Sequence, residues 1–175
     1  MTMWVFGYGS LLWHPGFEVA ERVLGTLDGY ARSFCMRSIH HRGTEEQPGL
    51  VLALDEQAGA HCRGAALAVM PGMECETLGY LRDRELISSA YIEKRLQVRL
   101  DDGREVTAIT YVVDPVHPQY CQIDLETQAQ IIARAVGGRG PNTEYLFNTT
   151  DHLTTLGLPD EQLEWLAARV RALVP

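Results

Sequence analysis

The sequence predicts a single α+β domain, a small barrel or strongly curved sheet followed by helices, and three observations predict it. Short apolar runs broken by turn residues fill the first two thirds of the chain, a spacing typical of small closed or curved sheets. The last third instead carries apolar residues at helical spacing. No linker-like shift in composition and no internal repeat divides the 175 residues, a length that ordinarily buries one self-sufficient core.

Taken in order, Trp4–Tyr8 is a short apolar strand. Val19–Leu27 and Tyr30–Met36 read as strands around a turn at Asp28-Gly29, where glycine supplies a positive φ. Leu50–Leu54 and Ala65–Val69 are two more, separated by a polar turn region at 55–64. Leu96–Leu100 and Val106–Val113 flank Asp101-Asp102-Gly103-Arg104, a strong hairpin signal. Between them Glu74–Ile87, just after Pro71-Gly72, is helical in composition. Further on, Asp124 is placed to cap a helix to Val136 that Gly137-Gly138 would stop. Asn142 is placed to cap the next. A last helix follows Pro159-Asp160, with Leu163, Leu166, Ala167, Val170, Leu173 and Val174 on one face.

Composition narrows the function. A net charge of −8, from 15 basic and 23 acidic residues, argues against a nucleic-acid partner but leaves room for one small anionic ligand. No run approaches the roughly 18 apolar residues that span a bilayer, and nothing near the N-terminus resembles a signal peptide. Cys35, Cys62, Cys75 and Cys121 form no CxxC pair, so reduced thiols and a cytoplasmic location are expected. The histidines lack the helical i, i+4 spacing or cysteine partners of a metal site, and neither metal nor other cofactor is expected. The oligomeric state leaves no mark on the sequence.

Two stretches carry candidate chemistry. In "WVFGYGSLLW", residues 4–13, Gly7 and Gly9 let the backbone turn sharply and aim several N–H groups at one spot, a nest suited to a carboxylate or phosphate. Tyr8 and Ser10 would add hydroxyls. The alternative is a strand that merely ends in a turn. In "YLRDREL", residues 80–86, Leu78, Leu81 and Glu85 fall on one helical face, which puts a carboxylate on an apolar stripe. Desolvation there raises its pKa toward the range useful for proton transfer, and Arg82 or Arg84 would pull it back if turned inward. A stripe-edge glutamate reaching solvent is the competing account. Arg42, in the polar loop "HHRGTEEQPG", is a further candidate for a ligand carboxylate.

Five segments together resemble the ChaC family of γ-glutamylcyclotransferases: "WVFGYGSLLWHPGF", "HRGTEEQPGLVLALD", "LRDRE", "DPVHPQY" and "NTEYLFNTTDHL". They stand in family order over nearly the whole chain. The resemblance implies a γ-glutamylcyclotransferase-like fold over residues 1–175, a small mixed β-barrel with flanking helices. It implies glutathione as substrate, with the γ-glutamyl amine attacking its own γ-carbonyl to give 5-oxoproline and Cys-Gly. Position by position, it implies that Gly7, Tyr8, Gly9, Ser10, Leu11 and Leu12 hold the γ-glutamyl end. It further implies that Glu85 is the acid/base, and that Tyr145 lies near the pocket. One departure is Ser88-Ser89-Ala90 before Tyr91, where relatives commonly carry a glycine-rich turn. Another γ-glutamyl amine or peptide as substrate, or a non-catalytic γ-glutamyl-binding regulator, are the alternatives.

The chemistry suits these residues. An intramolecular attack can carry an effective molarity of roughly 10⁵–10⁸ M, so neither a nucleophilic side chain nor an activated water is needed. A base is needed for the α-ammonium, whose reference pKa is about 8, and an acid for the leaving amine. One carboxylate serves both in turn.

Overall fold

The computed structural model describes residues 1–86 and 89–175. Two compact units are formed, Met1–Arg32 with Leu54–His117, and Ser33–Ala53 with Pro118–Pro175. Two of the three boundaries fall inside the long strands Val19–Ser38 and Gly49–Val69, and the third falls between His117 and Pro118.

The first unit is built on a closed barrel. Its strands are β1 (Trp4–Gly7), β2 (Val19–Ser38), β3 (Gly49–Val69), β4 (Tyr91–Leu100) and β5 (Glu105–Val113), in the order β1-β3-β2-β4-β5. β1 runs antiparallel to β3, with Trp4 opposite Ala68, and parallel to β5, with Trp4 opposite Ala108. Period two in β1 sends its side chains to two different clusters. Trp4 and Phe6 join Leu27, Leu54, Ala66, Val98 and Val112 in one core. Val5 faces the other way, against Ile109, Tyr111, Leu81 of α2 (Glu74–Glu85) and Leu11 of the short α1 (Ser10–Trp13). This second cluster fastens both helices to the same strands.

Two expected turns are not turns. β2 passes through Asp28-Gly29 unbroken, and Gly29 takes φ +85° within the strand rather than at a reversal. Asp28 is held there by two hydrogen bonds from Arg99 of β4, one strand away. β3 likewise continues through 55–64, with Gly59 at φ +81°. The polarity of Glu56 and Gln57 marks an exposed stretch of strand, not a loop. The 101–104 hairpin forms as expected: Gly103 adopts φ +95°, and the Leu100 N–H donates to the Arg104 carbonyl at 2.8 Å. α2 ends at Glu85, short of the expected Ile87, because Leu86 is already its C-cap; Ile87 itself lies outside the described residues.

The second unit contains α3 (Leu125–Arg134), the ribbon of β6 (Val136–Gly137) and β7 (Gly140–Pro141), α4 (Asn142–Thr155) and α5 (Glu161–Leu173). Asp124 caps α3 and Asp160 caps α5, accepting from the Thr127 and Leu163 N–H groups. α5 buries Leu163, Leu166, Ala167 and Val170. α3 stops two residues before the expected Val136, because Ala135 is already extended. Gly137 serves a close approach instead of a helix stop. A Cβ there would lie 2.4 Å from the Gly43 nitrogen. Asn142 is not the cap of α4 either, since Pro141 occupies that position. Its side chain is fully buried and faces β3, accepting from the Leu50 N–H and donating to the Leu50 carbonyl, both at 2.8 Å. Among the described residues no helix is long and apolar enough to cross a membrane.

Candidate active site

The glycine loop and Glu85 belong to the same unit, and an arginine connects them. Gly7 closes β1, paired with Ala65. Gly9 precedes α1, and the Leu12 N–H turns back to the Gly9 carbonyl at 2.9 Å. In so short a helix the leading amides have no earlier turn to bond to. The Leu11 and Leu12 side chains are buried, so their part in any cradle is played by backbone. Leu12 lies against Gly7, where a Cβ would come within 3.1 Å of it. A Cβ on Gly9 would meet no protein atom within 4 Å, so that face of the loop is open.

The loop is anchored from beneath. Arg32 is 7% exposed, and its Nε–H donates to the Tyr8 carbonyl at 2.8 Å. A second donor of the same guanidinium reaches the Arg63 carbonyl. The Tyr8 ring packs on the barrel core. A charged residue on the inward side of β2, between Tyr30 and Phe34, is the signal by which sequence could have found this anchor.

Glu85 is the last residue of α2, one turn beyond the fully buried Leu81, and its side chain is 18% exposed. Desolvation raises its pKa above the ordinary carboxylate value, and the neighbouring Arg84 charge draws it part of the way back. Of the two arginines weighed from the sequence, only Arg84 turns to the glutamate, with Nε 3.5 Å from Oε1. Its terminal nitrogens donate to Ser10 Oγ at 2.9 Å, the His14 carbonyl at 2.7 Å, the Pro15 carbonyl at 3.2 Å and Tyr80 Oη at 3.1 Å. Arg82 points elsewhere and makes a bidentate pair with Glu93 at 3.0 and 3.1 Å. The Tyr111 hydroxyl donates to that same carboxylate at 2.8 Å. Burial first, then the Glu93 bond and the nearby charges of Glu93 and Glu85, push the Tyr111 phenol far above its usual value.

This arrangement can move a proton. A partly desolvated carboxyl stands beside a loop with an open glycine face and a hydroxyl at Ser10. Among the described residues no three His, Cys, Asp or Glu side chains are grouped as a metal site.

A family model described as ChaC-like protein matches residues 3–173. The chain belongs to this ChaC-like family. It is 41% identical over 176 residues to the glutathione-specific γ-glutamylcyclotransferase of Escherichia coli K12, spanning 98% of this chain and 74% of that protein. It is 37% identical to γ-glutamylcyclotransferase 2-1 of Arabidopsis thaliana, over 98% of this chain and 83% of the relative. The fold of this ChaC-like chain matches the crystal structure of a glutathione-specific γ-glutamylcyclotransferase from yeast with a TM-score of 0.84. That match covers 99% of this chain and 97% of the yeast one at 21% identity.

Of the positions singled out from sequence, Gly7 to Leu12 and Glu85 therefore lie in one unit, joined through Arg84. Tyr145 lies in the other unit, on α4. There its hydroxyl accepts the Leu52 N–H at 3.1 Å, its ring stands edge-on to Phe34, and the Arg42 guanidinium is 5.7 Å from the ring centre. Arg42 itself donates to the Pro141 carbonyl at 3.0 Å and pairs with Glu144 at 3.3 Å. Ser88, part of the sequence departure after Glu85, lies outside the described residues.

Proposed function

We propose that this chain is a glutathione-specific γ-glutamylcyclotransferase, a lyase that releases 5-oxoproline and Cys-Gly, with Glu85 as its acid/base. One observation carries the reading: a carboxyl whose pKa is raised by burial is tied, through Arg84, to the open glycine loop of the ChaC-like family. The identity to the E. coli enzyme supports the substrate.

In this reading the backbone of Gly7–Leu12 and the Ser10 hydroxyl receive the γ-glutamyl end. Glu85 takes one proton from the α-ammonium, and the freed lone pair attacks the γ-carbonyl carbon. Glu85 then gives that proton to the cysteinyl nitrogen, and the tetrahedral intermediate collapses with cleavage of the bond to that nitrogen. A second proton passes in the same way from the new lactam nitrogen through Glu85 to the leaving amine. No proton and no water is consumed. Such a shuttle contributes roughly 10²–10⁴-fold. A loop amide aimed at the developing oxyanion adds about 2.7–4 kcal/mol. We assign Tyr145 to the pocket by the same family reading. The whole of residues 1–175 is taken as one domain, because the chain passes between the units twice within a continuous strand. The reading places the protein in the cytoplasm, as a glutathione-binding enzyme without a nucleic-acid or membrane partner. Its four cysteines are thiols, three of them buried.

A panel tests the substrate. The purified protein is incubated separately with glutathione, with γ-glutamyl dipeptides and with γ-glutamyl amines, and 5-oxoproline is followed by NMR. Glutathione should give the largest kcat/KM. A dipeptide turned over faster would move the assignment to another γ-glutamyl substrate, and binding without product to the regulator.

A further inference from the structure

We propose that Arg84 is a positioning residue for this reaction: it straps the Ser10–Pro15 segment to the end of α2 and holds a fixed positive charge beside Glu85. The inference rests on the acid/base reading of Glu85 and adds to it the device that keeps the carboxylate ready.

The hydrogen-bond geometry makes the case. Arg84 spends its two terminal nitrogens on Ser10 Oγ, the His14 and Pro15 carbonyls and Tyr80 Oη. Only Nε remains toward Glu85, and at 3.5 Å it makes an ion pair longer than a charged hydrogen bond. The position of the charge is therefore set by the strap and not by Glu85. A guanidinium free to move would collapse onto the carboxylate, occupy its oxygens and drift away each time a proton was taken up. This one stays in place through the cycle and leaves the carboxylate oxygens open to substrate. Tyr80 is itself fixed, since its hydroxyl fills the space that a Cβ on Gly16 would need.

The surroundings give Arg84 a task that no other described group performs. Glu85 closes α2, at the negative end of the helix dipole and in a desolvated place, and both effects favour the protonated form. A resting base must be ionised. Across from α2, β5 offers the neutral Tyr111 hydroxyl, and β4 offers Glu93, already engaged by Arg82 and Tyr111. Arg82 is thereby withdrawn, and Arg84 is left as the counter-charge.

The test is the pH profile of kcat/KM for glutathione in wild type, Arg84→Gln, Arg84→Lys, Tyr80→Phe and Glu85→Gln, with melting curves for each. Arg84→Gln should move the acid limb to higher pH and lower kcat by up to about 100-fold, the loss a small misplacement can cause. Arg84→Lys keeps a charge and should hold the limb near wild type while kcat still falls. Tyr80→Phe, which removes one acceptor and no charge, should shift the limb in the same direction as Arg84→Gln by less, and it keeps the test open if Arg84→Gln does not fold. An acid limb that stays put in every folded Arg84 and Tyr80 variant, while Glu85→Gln is inactive, overturns the role of Arg84. An active Glu85→Gln overturns the acid/base reading instead.

Discussion

Replacing Asn142 by alanine should destabilise the protein far more than its place in a helix suggests. The side chain is fully buried and makes two bonds to the backbone of Leu50, a residue with no exposed surface. Alanine would leave the Leu50 N–H and carbonyl both buried and unpaired. Each costs about 1–3 kcal/mol, so the total is about 2–6 kcal/mol. For a chain of this size each kcal/mol lowers Tm by about 2–4 °C, and the middle of the range gives a drop of about 8–16 °C. Thermal unfolding followed by circular dichroism measures it. Gln97→Ala, which removes an exposed 3.1 Å bond to Thr107, is the control and should stay within about 0.5 kcal/mol of wild type. If Asn142→Ala melted with that control, the two bonds would not be holding α4 to β3 and the reasoning would fail.

Other perturbations probe the site. Glu85 holds its proton in the folded state to a higher pH than it does unfolded, so its favourable contribution is complete below the unfolded value and disappears as pH rises through the folded one. Glu85→Gln, neutral throughout, should therefore be more stable than wild type at pH 8 and about equal near pH 4; equal melting at both would deny the desolvation. Gly9→Ala should leave Tm unchanged, because its Cβ enters open space, and should raise the KM for glutathione if ligand fills that space. An unaltered KM would remove the cradle from Gly9. Gly64→Ala places a Cβ 2.3 Å from the Gly7 carbonyl and 2.6 Å from the Phe6 ring, an overpacking that should cost about 1–3 kcal/mol in a urea titration; a wild-type midpoint would contradict the contact.

What the sequence made legible was whatever depends on neighbours along the chain. Asp124 and Asp160 cap the helices that follow them, and the Gly103 hairpin closes in place. α5 buries Leu163, Leu166, Ala167 and Val170 of the face its spacing outlines, while Leu173 is half-buried and Val174 is the C-cap. The glycine loop and Glu85 stood out for the same reason, as compact motifs, and the fold places them in one unit. Errors came where a local signal had a distant use. Asp28-Gly29 has turn chemistry, yet Arg99, 71 residues on, holds it in a continuous strand. Asn142 looks like a cap but serves Leu50, 92 residues earlier. Arg84 was legible as a flanking charge, while its bonds to Ser10 and His14, 74 and 70 residues away, were not. Arg32 leaves one hint in the sequence, a charge at an inward position of a strand, while its bond to the Tyr8 carbonyl, 24 residues earlier, leaves none.

The most direct test of the account is to incubate wild type and Glu85→Gln with reduced glutathione, side by side at equal concentration, and to quantify 5-oxoproline and Cys-Gly together. The account predicts equimolar products from wild type and, with an unchanged fold, a loss of at least about 100-fold in the variant. A Glu85→Gln protein producing 5-oxoproline near the wild-type rate, or a wild type that binds glutathione and releases neither product, would contradict it.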